Sequence, residues 1–255
     1  MDWIKQLLDE KYIQYNKPEF IVSDPVSIPH MFSSKENIEV SALLTATLSW
    51  GSRQLIIKSA GKLIEMLDNN PYDFLISASE KEINDLKRFY YRTFNGTDTV
   101  YFIRSLINIY RTEGGLESIF TNEYKKSGDL KNSIHRFRVT FFSATTPGRT
   151  AKHIADVMNG ASAKRMNMFL RWMVRKDEMG VDFGLWEEIP ASALYLPLDL
   201  HTGKIARDLE LLVRKQNDWK AVVELTEALR KYDPQDPVKY DFALFGMGVF
   251  EKNKF

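Results

Sequence analysis

The sequence predicts an all-α protein, one compact chain folded as two helical lobes. Apolar residues recur at helical spacing in eight separate segments. No alternating strand pattern of comparable quality occurs, and Asn-Gly or Gly-Asn turns between β-branched runs are absent. The 255 residues, 44% hydrophobic and 27% charged, have ordinary globular composition and fall between one and two domains. Neither an internal repeat nor a low-complexity linker divides them.

The elements follow in order. Residues 1–13 mix charged and apolar residues at helical spacing, without the uninterrupted apolar centre of a secretory signal. Val40, Leu43, Leu44, Thr47 and Leu48 predict a helix ending near Gly51. A second runs from Leu55 to Leu67, before the Asn69-Asn70-Pro71 break. Ser79 and Glu82 have capping-box spacing at the head of Ile83, Leu86 and Phe89. Asp98–Tyr110 carries Tyr101, Phe102, Leu106 and Ile109 on one side, and Met166, Phe169, Leu170, Met173 and Val174 repeat the pattern. Ile205, Ala206, Leu209 and Leu212 follow Asp199, then come Trp219–Lys231 and Tyr240–Phe250. Roughly nine to twelve helices are expected.

There is no cysteine, which excludes disulfides, thiolate zinc sites, cysteine-ligated iron–sulfur clusters and a cysteine nucleophile. With four histidines, a metal centre would have to lean on carboxylates. No cofactor and no metal are expected. No apolar run reaches the length of about 18 residues that a membrane span needs, so a soluble, cytoplasmic chain is expected.

The net charge of +1 conceals an uneven distribution. Lys131, Arg136, Arg138, Arg149, Lys152, Lys164, Arg165, Arg171, Arg175 and Lys176 face a single acid, Asp156, between residues 131 and 176. That block carries +9 and the rest of the chain −8. Such a block suits a polyanion, because Lys and Arg contacts to phosphate supply most sequence-independent nucleic-acid affinity. It is equally compatible with a solvated basic face that pairs with acids elsewhere in the fold.

Three blocks bear on chemistry. Met158-Asn-Gly-Ala-Ser-Ala-Lys164 is a Gly-containing turn opening a helix, where backbone N–H groups could hold a phosphate. Lys164, Met168, Arg171 and Arg175 fall on a face away from the apolar stripe, which predicts an exposed basic side; a plain surface lysine is the alternative for Lys164. Pro197-Leu-Asp199-Leu-His201 delivers Asp199 to a helix start as an N-cap, where a carboxylate is held rigidly and could face a developing cation. Thr47-Leu-Ser-Trp-Gly-Ser52 ends an apolar helix in an abrupt polar turn, which is also how an ordinary core helix stops.

Taken in this order, the blocks resemble the helix-hairpin-helix superfamily of DNA glycosylases, which includes endonuclease III and the 8-oxoguanine DNA glycosylases. Its hairpin, Leu-Pro-Gly-Val-Gly-x-Lys, aligns without a gap on residues 158–164, matching at Gly160 and Lys164. Its Val-Asp-Val-His or Val-Asp-Thr-His segment is similar to Leu198-Asp-Leu-His201, and its Ser-Gln-x-Thr turn to Ser49-Trp-Gly-Ser52. The closing Ala243-Leu-Phe-Gly-Met-Gly248 looks like that fold's last core helix. The likeness runs from about residue 36 to 250, and only the hairpin and Asp blocks are specific. Asn159 and Ser162 replace the hairpin's Pro and second Gly, and Lys164 and Asp199 stand 35 residues apart, closer to the archaeal 8-oxoguanine branch than to endonuclease III. The stretch Met179–Trp186 takes up the added length.

The resemblance implies a two-lobed glycosylase fold with the helix-hairpin-helix near 150–176, and base-excision repair of double-stranded DNA carrying a damaged base, an oxidised purine among the candidates. Lys164 would be the nucleophile and Schiff-base lysine, and Asp199 the stabiliser of the sugar cation. A free lysine, with reference pKa about 10.4, is protonated near neutrality, so this use needs burial or neighbouring cations such as Arg165, Arg171 and Arg175. Gly160, Ser162, Arg165, Arg171, Arg175, Arg149, Lys152 and His201 would contact DNA. Trp50, Arg53, Gln54 and Trp172 are the candidates for a wedge in the base stack or a platform under the flipped base. A monomer without a membrane partner is expected. Two other readings stay open: a non-catalytic nucleic-acid-binding member, and a helical interaction protein whose basic block meets an acidic protein surface.

Overall fold

The computed structural model describes residues 3–144 and 146–251. The chain opens with α1 (Trp3–Tyr15) and α2 (Pro18–Ser23), then two 3-10 turns, Pro25–Ser27 and Pro29–Met31. Next come α3 (Lys35–Leu48), α4 (Arg53–Glu65), α5 (Pro71–Ser77) and α6 (Glu80–Asp85). The short strands β1 (Tyr90–Tyr91) and β2 (Phe94–Asn95) pair antiparallel. They are followed by α7 (Gly96–Thr112), α8 (Leu116–Ser127), α9 (Leu130–Phe141), α10 (Lys164–Val174), α11 (Leu200–Asp208), α12 (Trp219–Arg230) and α13 (Tyr240–Phe250). The all-α expectation holds, with one two-residue hairpin added.

The chain divides into two compact units, Ser23–Ala155 and the pair Met1–Val22 with Asp156–Phe255. In the first unit α3 is the central helix: every residue from Ile38 to Leu48 is buried, the polar Glu39, Ser41, Thr45 and Thr47 along with the apolar ones. The one acid in that stretch, Glu39, accepts the Tyr110 hydroxyl at 2.8 Å. Burial, followed by the Glu39 charge, pushes the Tyr110 phenol far above its ordinary range. Ser79 and Glu82 form the predicted capping box. A second box, Asn95 with Asp98, starts α7 two residues earlier than its apolar pattern indicates. α8 and α9 pack as a hairpin through the stacked rings of Phe120 and Phe137, with Gly128 left-handed (φ +69) at the turn.

In the second unit α13 packs against α1 and α11. Two glycines set the distances. Gly246 lies so close to the Tyr15 ring that a methyl group there would overlap it, and a Cβ at Gly248 would lie 3.0 Å from the His201 Cβ. Gly246→Ala is therefore expected to cost about 1–3 kcal/mol through overpacking, read as a lower denaturant midpoint at unchanged slope. α10 buries Phe169, Leu170, Trp172 and Met173. The segment after it folds back on its last turns, Phe183 N–H donating to Trp172 O at 2.8 Å and Trp186 N–H to Met173 O at 2.9 Å.

Candidate active site

Two helix starts in the second unit bring the principal candidates together. Asp199 caps α11: its Oδ1 accepts the amides of His201 (2.8 Å) and Thr202 (2.9 Å). Its other oxygen, Oδ2, lies 3.6 Å from Lys164 Nζ. Lys164 is the first residue of α10, and Ala163 before it is held left-handed at φ +50, a conformation costly for a residue with a Cβ. The lysine and aspartate side chains are 30% and 17% exposed, so the pair is shielded but open to a reactant. An ion pair that exposed contributes only about 0–1 kcal/mol. Fold stability is therefore a weak reason for its presence.

The first residue of α12 and the segment before it clamp the two starts, a feature that spacing alone does not announce. Trp219 N–H donates to Gly160 O at 2.9 Å, tying down the turn that precedes Lys164. Asn217 Nδ2 donates to Asp199 O at 3.0 Å, while its Oδ1 accepts from Arg207 Nη2 at 2.6 Å. Arg207 also donates to the carbonyls of Gly203, Arg214 and Lys215, fixing this segment against α11. Asp218 caps α12, and its hydrogen bond with Arg214 holds its carboxyl down to about 2.

Asp199 serves both the helix cap and the ion pair, and substitutions separate the two. Asp199→Ala removes the cap and should cost about 1 kcal/mol in thermal or denaturant unfolding, while Asp199→Asn keeps it and should cost a few tenths. Equal losses in both variants would place the stabilisation in the charge.

The exposed basic side expected of α10 is corrected. Arg171 and Arg175 are 4% and 1% exposed and committed to carboxylates. Arg171 bridges Asp241, through Nη1, and Asp182, through Nε at 3.2 Å. Arg175 reaches Asp182 at 3.1 Å, Asp236 at 2.8 Å, Asp177, and the Tyr12 hydroxyl at 2.7 Å. The physical reason lies in the returning segment, the turn before α13 and α13 itself, which supply the acids Asp177 and Asp182, Asp236, and Asp241. These arginines thus do not present free cations beside Lys164, whose close ionic partner is Asp199. Burial opposes the Arg175 charge, yet Asp182, Asp236, Tyr12 and Asp177 more than compensate and raise it above its usual range. Burial also pushes Asp236 up despite Arg175, whereas Asp177 ends below its usual range because Arg175 and Asn16 outweigh its burial. Asp241, inside the cluster, is pushed up to about 7 by burial against the opposing Arg171.

The other candidates are dispersed. Gly160 has φ +85, where a residue with a Cβ would be strained, and Ser162 O accepts the Asn167 amide at 3.2 Å. Arg165 is half-buried, which pushes its guanidinium down while leaving it cationic. His201 is exposed. A short 3-10 stretch, Gly148–His153, precedes the turn where a hairpin's first α-helix is expected. Within the first unit, Arg149 pairs with the buried Asp98 at 2.7 Å and Lys152 is exposed. Trp50 is half-buried between Tyr91 and His153, Arg53 is half-buried, and Gln54 is exposed. Trp172 is fully buried in the core side of α10, so its expected use as a stacking platform is corrected. No group of three or more His, Asp or Glu residues suited to a metal ion occurs among the described residues.

Comparison with known families places the chain in one of them. The profile of the family described as "Protein of unknown function (DUF2400)" covers residues 24–250. The chain belongs to this family. The span includes the Lys164 turn, the Asp199 cap, the Asn217–Trp219 clamp and Asp241 of α13. No curated protein matches the chain. No solved structure matches it. Among the described residues no helix is long and apolar enough to cross a membrane.

Proposed function

We propose that the protein is a DNA glycosylase of the helix-hairpin-helix type with lyase activity at abasic sites. The observation that carries this reading is the 3.6 Å approach of Lys164 Nζ to Asp199 Oδ2 at two clamped helix starts. The residues that the family resemblance names as nucleophile and stabiliser meet across 35 residues of chain. Both side chains stay within reach of a substrate.

The chemistry requires a nucleotide turned out of the duplex. The neutral amine of Lys164 attacks the sugar C1′. The bond from C1′ to the base breaks, and the base leaves with the electron pair and takes up a proton. Asp199 opposes the positive charge that builds on the sugar, as a fixed carboxylate is suited to do. Opening of the sugar ring gives a Schiff base on Lys164. Loss of a C2′ proton then expels the 3′ phosphate, and hydrolysis returns the free lysine. Exposed cations such as Lys152 and Lys176 would add salt-sensitive phosphate affinity.

Incubation with an abasic duplex in the presence of borohydride tests the reading: a covalent protein–DNA species should form and the strand should be cut. Salt-sensitive binding without either product would instead indicate a nucleic-acid-binding protein that does no chemistry. Absence of binding at about 50 mM salt, where phosphate contacts are least screened, would favour an acidic protein partner.

A further inference from the structure

A largely buried cluster of charges includes the Lys164–Asp199 pair at its open edge, and acids outnumber bases in it. Lys164, Arg171 and Arg175 on and just after α10 face Asp177, Asp182, Asp199, Asp236 and Asp241. Lys164 and Arg171 are seven residues apart, so they share a face of α10, and helical side chains lean toward the N-terminus. The Arg171 guanidinium lies over the Phe242 ring at 4.4 Å and holds Asp241 at the start of α13. Asp241 feels Arg171 and Lys164 from α10, Asp199 from the start of α11 and Asp182 from the returning segment. α1 sends Asp9 and Tyr12 toward this end of α13, where Tyr240 and Lys239 engage Asp9 and Arg175 engages Tyr12.

A lysine nucleophile must surrender a proton, which would leave so acid-rich a cluster more negative still. We infer that Asp241 is a positioning residue that balances this charge, binding a proton when Lys164 releases one, so that the cluster keeps a constant net charge while the amine becomes free to attack. One proton leaves Lys164 Nζ and one is bound by an Asp241 oxygen; no bond between heavy atoms changes. The carboxyl is suited to this because it lies buried among more acids than bases, with Arg171 as its direct partner, and burial pushes it up to about 7. The chemical purpose rests on the lyase reading, but the titration does not.

The test is carbon-13 NMR of protein labelled at the aspartate carboxyls, titrated from acid to alkaline pH without DNA. One carboxyl should titrate near 7 and disappear in Asp241→Asn. Lys164→Gln should raise its midpoint and Asp199→Asn should lower it, each by on the order of half a unit or more. Should Asp241→Asn fail to fold, those opposite shifts identify the group in chains that keep Asp241. In trapping on an abasic duplex, the pH of half-maximal rate should move toward acid by on the order of one unit in Asp241→Asn. Asp241→Glu should restore the wild-type profile. The inference is overturned if no carboxyl titrates near neutrality, if both neighbouring substitutions leave its midpoint unmoved, or if Asp241→Asn lowers stability without moving the profile. Failure of the wild-type protein to trap any abasic duplex removes the lyase reading, while the NMR titration still decides the proton balance.

Discussion

Lys164→Gln abolishes the borohydride-trapped species on abasic DNA while leaving fold and duplex affinity close to wild type. Glutamine is similar in length and polar, but it has no amine to form a Schiff base, so the covalent route is closed. Deleting a covalent nucleophile lowers turnover by on the order of 10^4-fold or more, which puts strand cleavage at the background rate. Melting should hardly change, since the ion pair it removes is partly exposed and worth about 0–1 kcal/mol. Affinity measured by fluorescence anisotropy over a salt series should fall by at most about one phosphate contact in slope. Loss of trapping with intact melting and intact binding separates chemistry from folding; retained trapping would assign the amine to another lysine.

Arg175→Ala has the largest expected effect on stability. The guanidinium is 1% exposed and serves Asp177, Asp182 and Asp236 together, with the Tyr12 hydroxyl as a fourth partner. Removing it strands carboxylates in a buried site, and breaking a buried ionic arrangement from one side costs about 3–5 kcal/mol. A domain of this size should then melt lower by roughly 10 °C. Arg175→Lys should recover part of that, since a single ammonium cannot reproduce the fork. The sign of the pH dependence is a further check. In Arg175→Ala the stranded carboxylates can be relieved by protonation, so the deficit against wild type should shrink as pH falls. A deficit that grows toward acid would mean the cluster is held together in some other way.

The fold class and the helix positions were largely legible. The stripe Met166, Phe169, Leu170, Met173 and Val174 gave the register of α10, and Ser79 with Glu82 gave the start of α6. α8 and α9 are harder to read, because Glu117, Asn122 and Glu123 dilute the apolar set of the first, and Lys131, Arg136 and Arg138 dilute the set Ile134, Phe137 and Phe141 of the second. The hairpin of β1 and β2 is too short to show a period. In the site, Lys164 and Asp199 could be read because each opens a helix after a recognisable turn. The burial of Arg171 and Arg175 could not. Their partners Asp182, Asp236 and Asp241 lie 7 to 70 residues away, and helical spacing says which side of α10 they occupy, not what covers it. Asn217 escaped for a related reason: it looks like the polar residue before an Asp cap, and its bond to the Asp199 carbonyl exists only once α11 and α12 are packed.

The central claim is that Lys164 acts as an amine nucleophile beside Asp199. Peptide mapping by mass spectrometry of wild-type protein, reduced with borohydride on an abasic duplex, tests it most directly. A sugar-derived adduct on the peptide containing Lys164, and on no other lysine, is the expected result. A reduced sample with no adduct, or with the adduct on a lysine outside the pair, contradicts it.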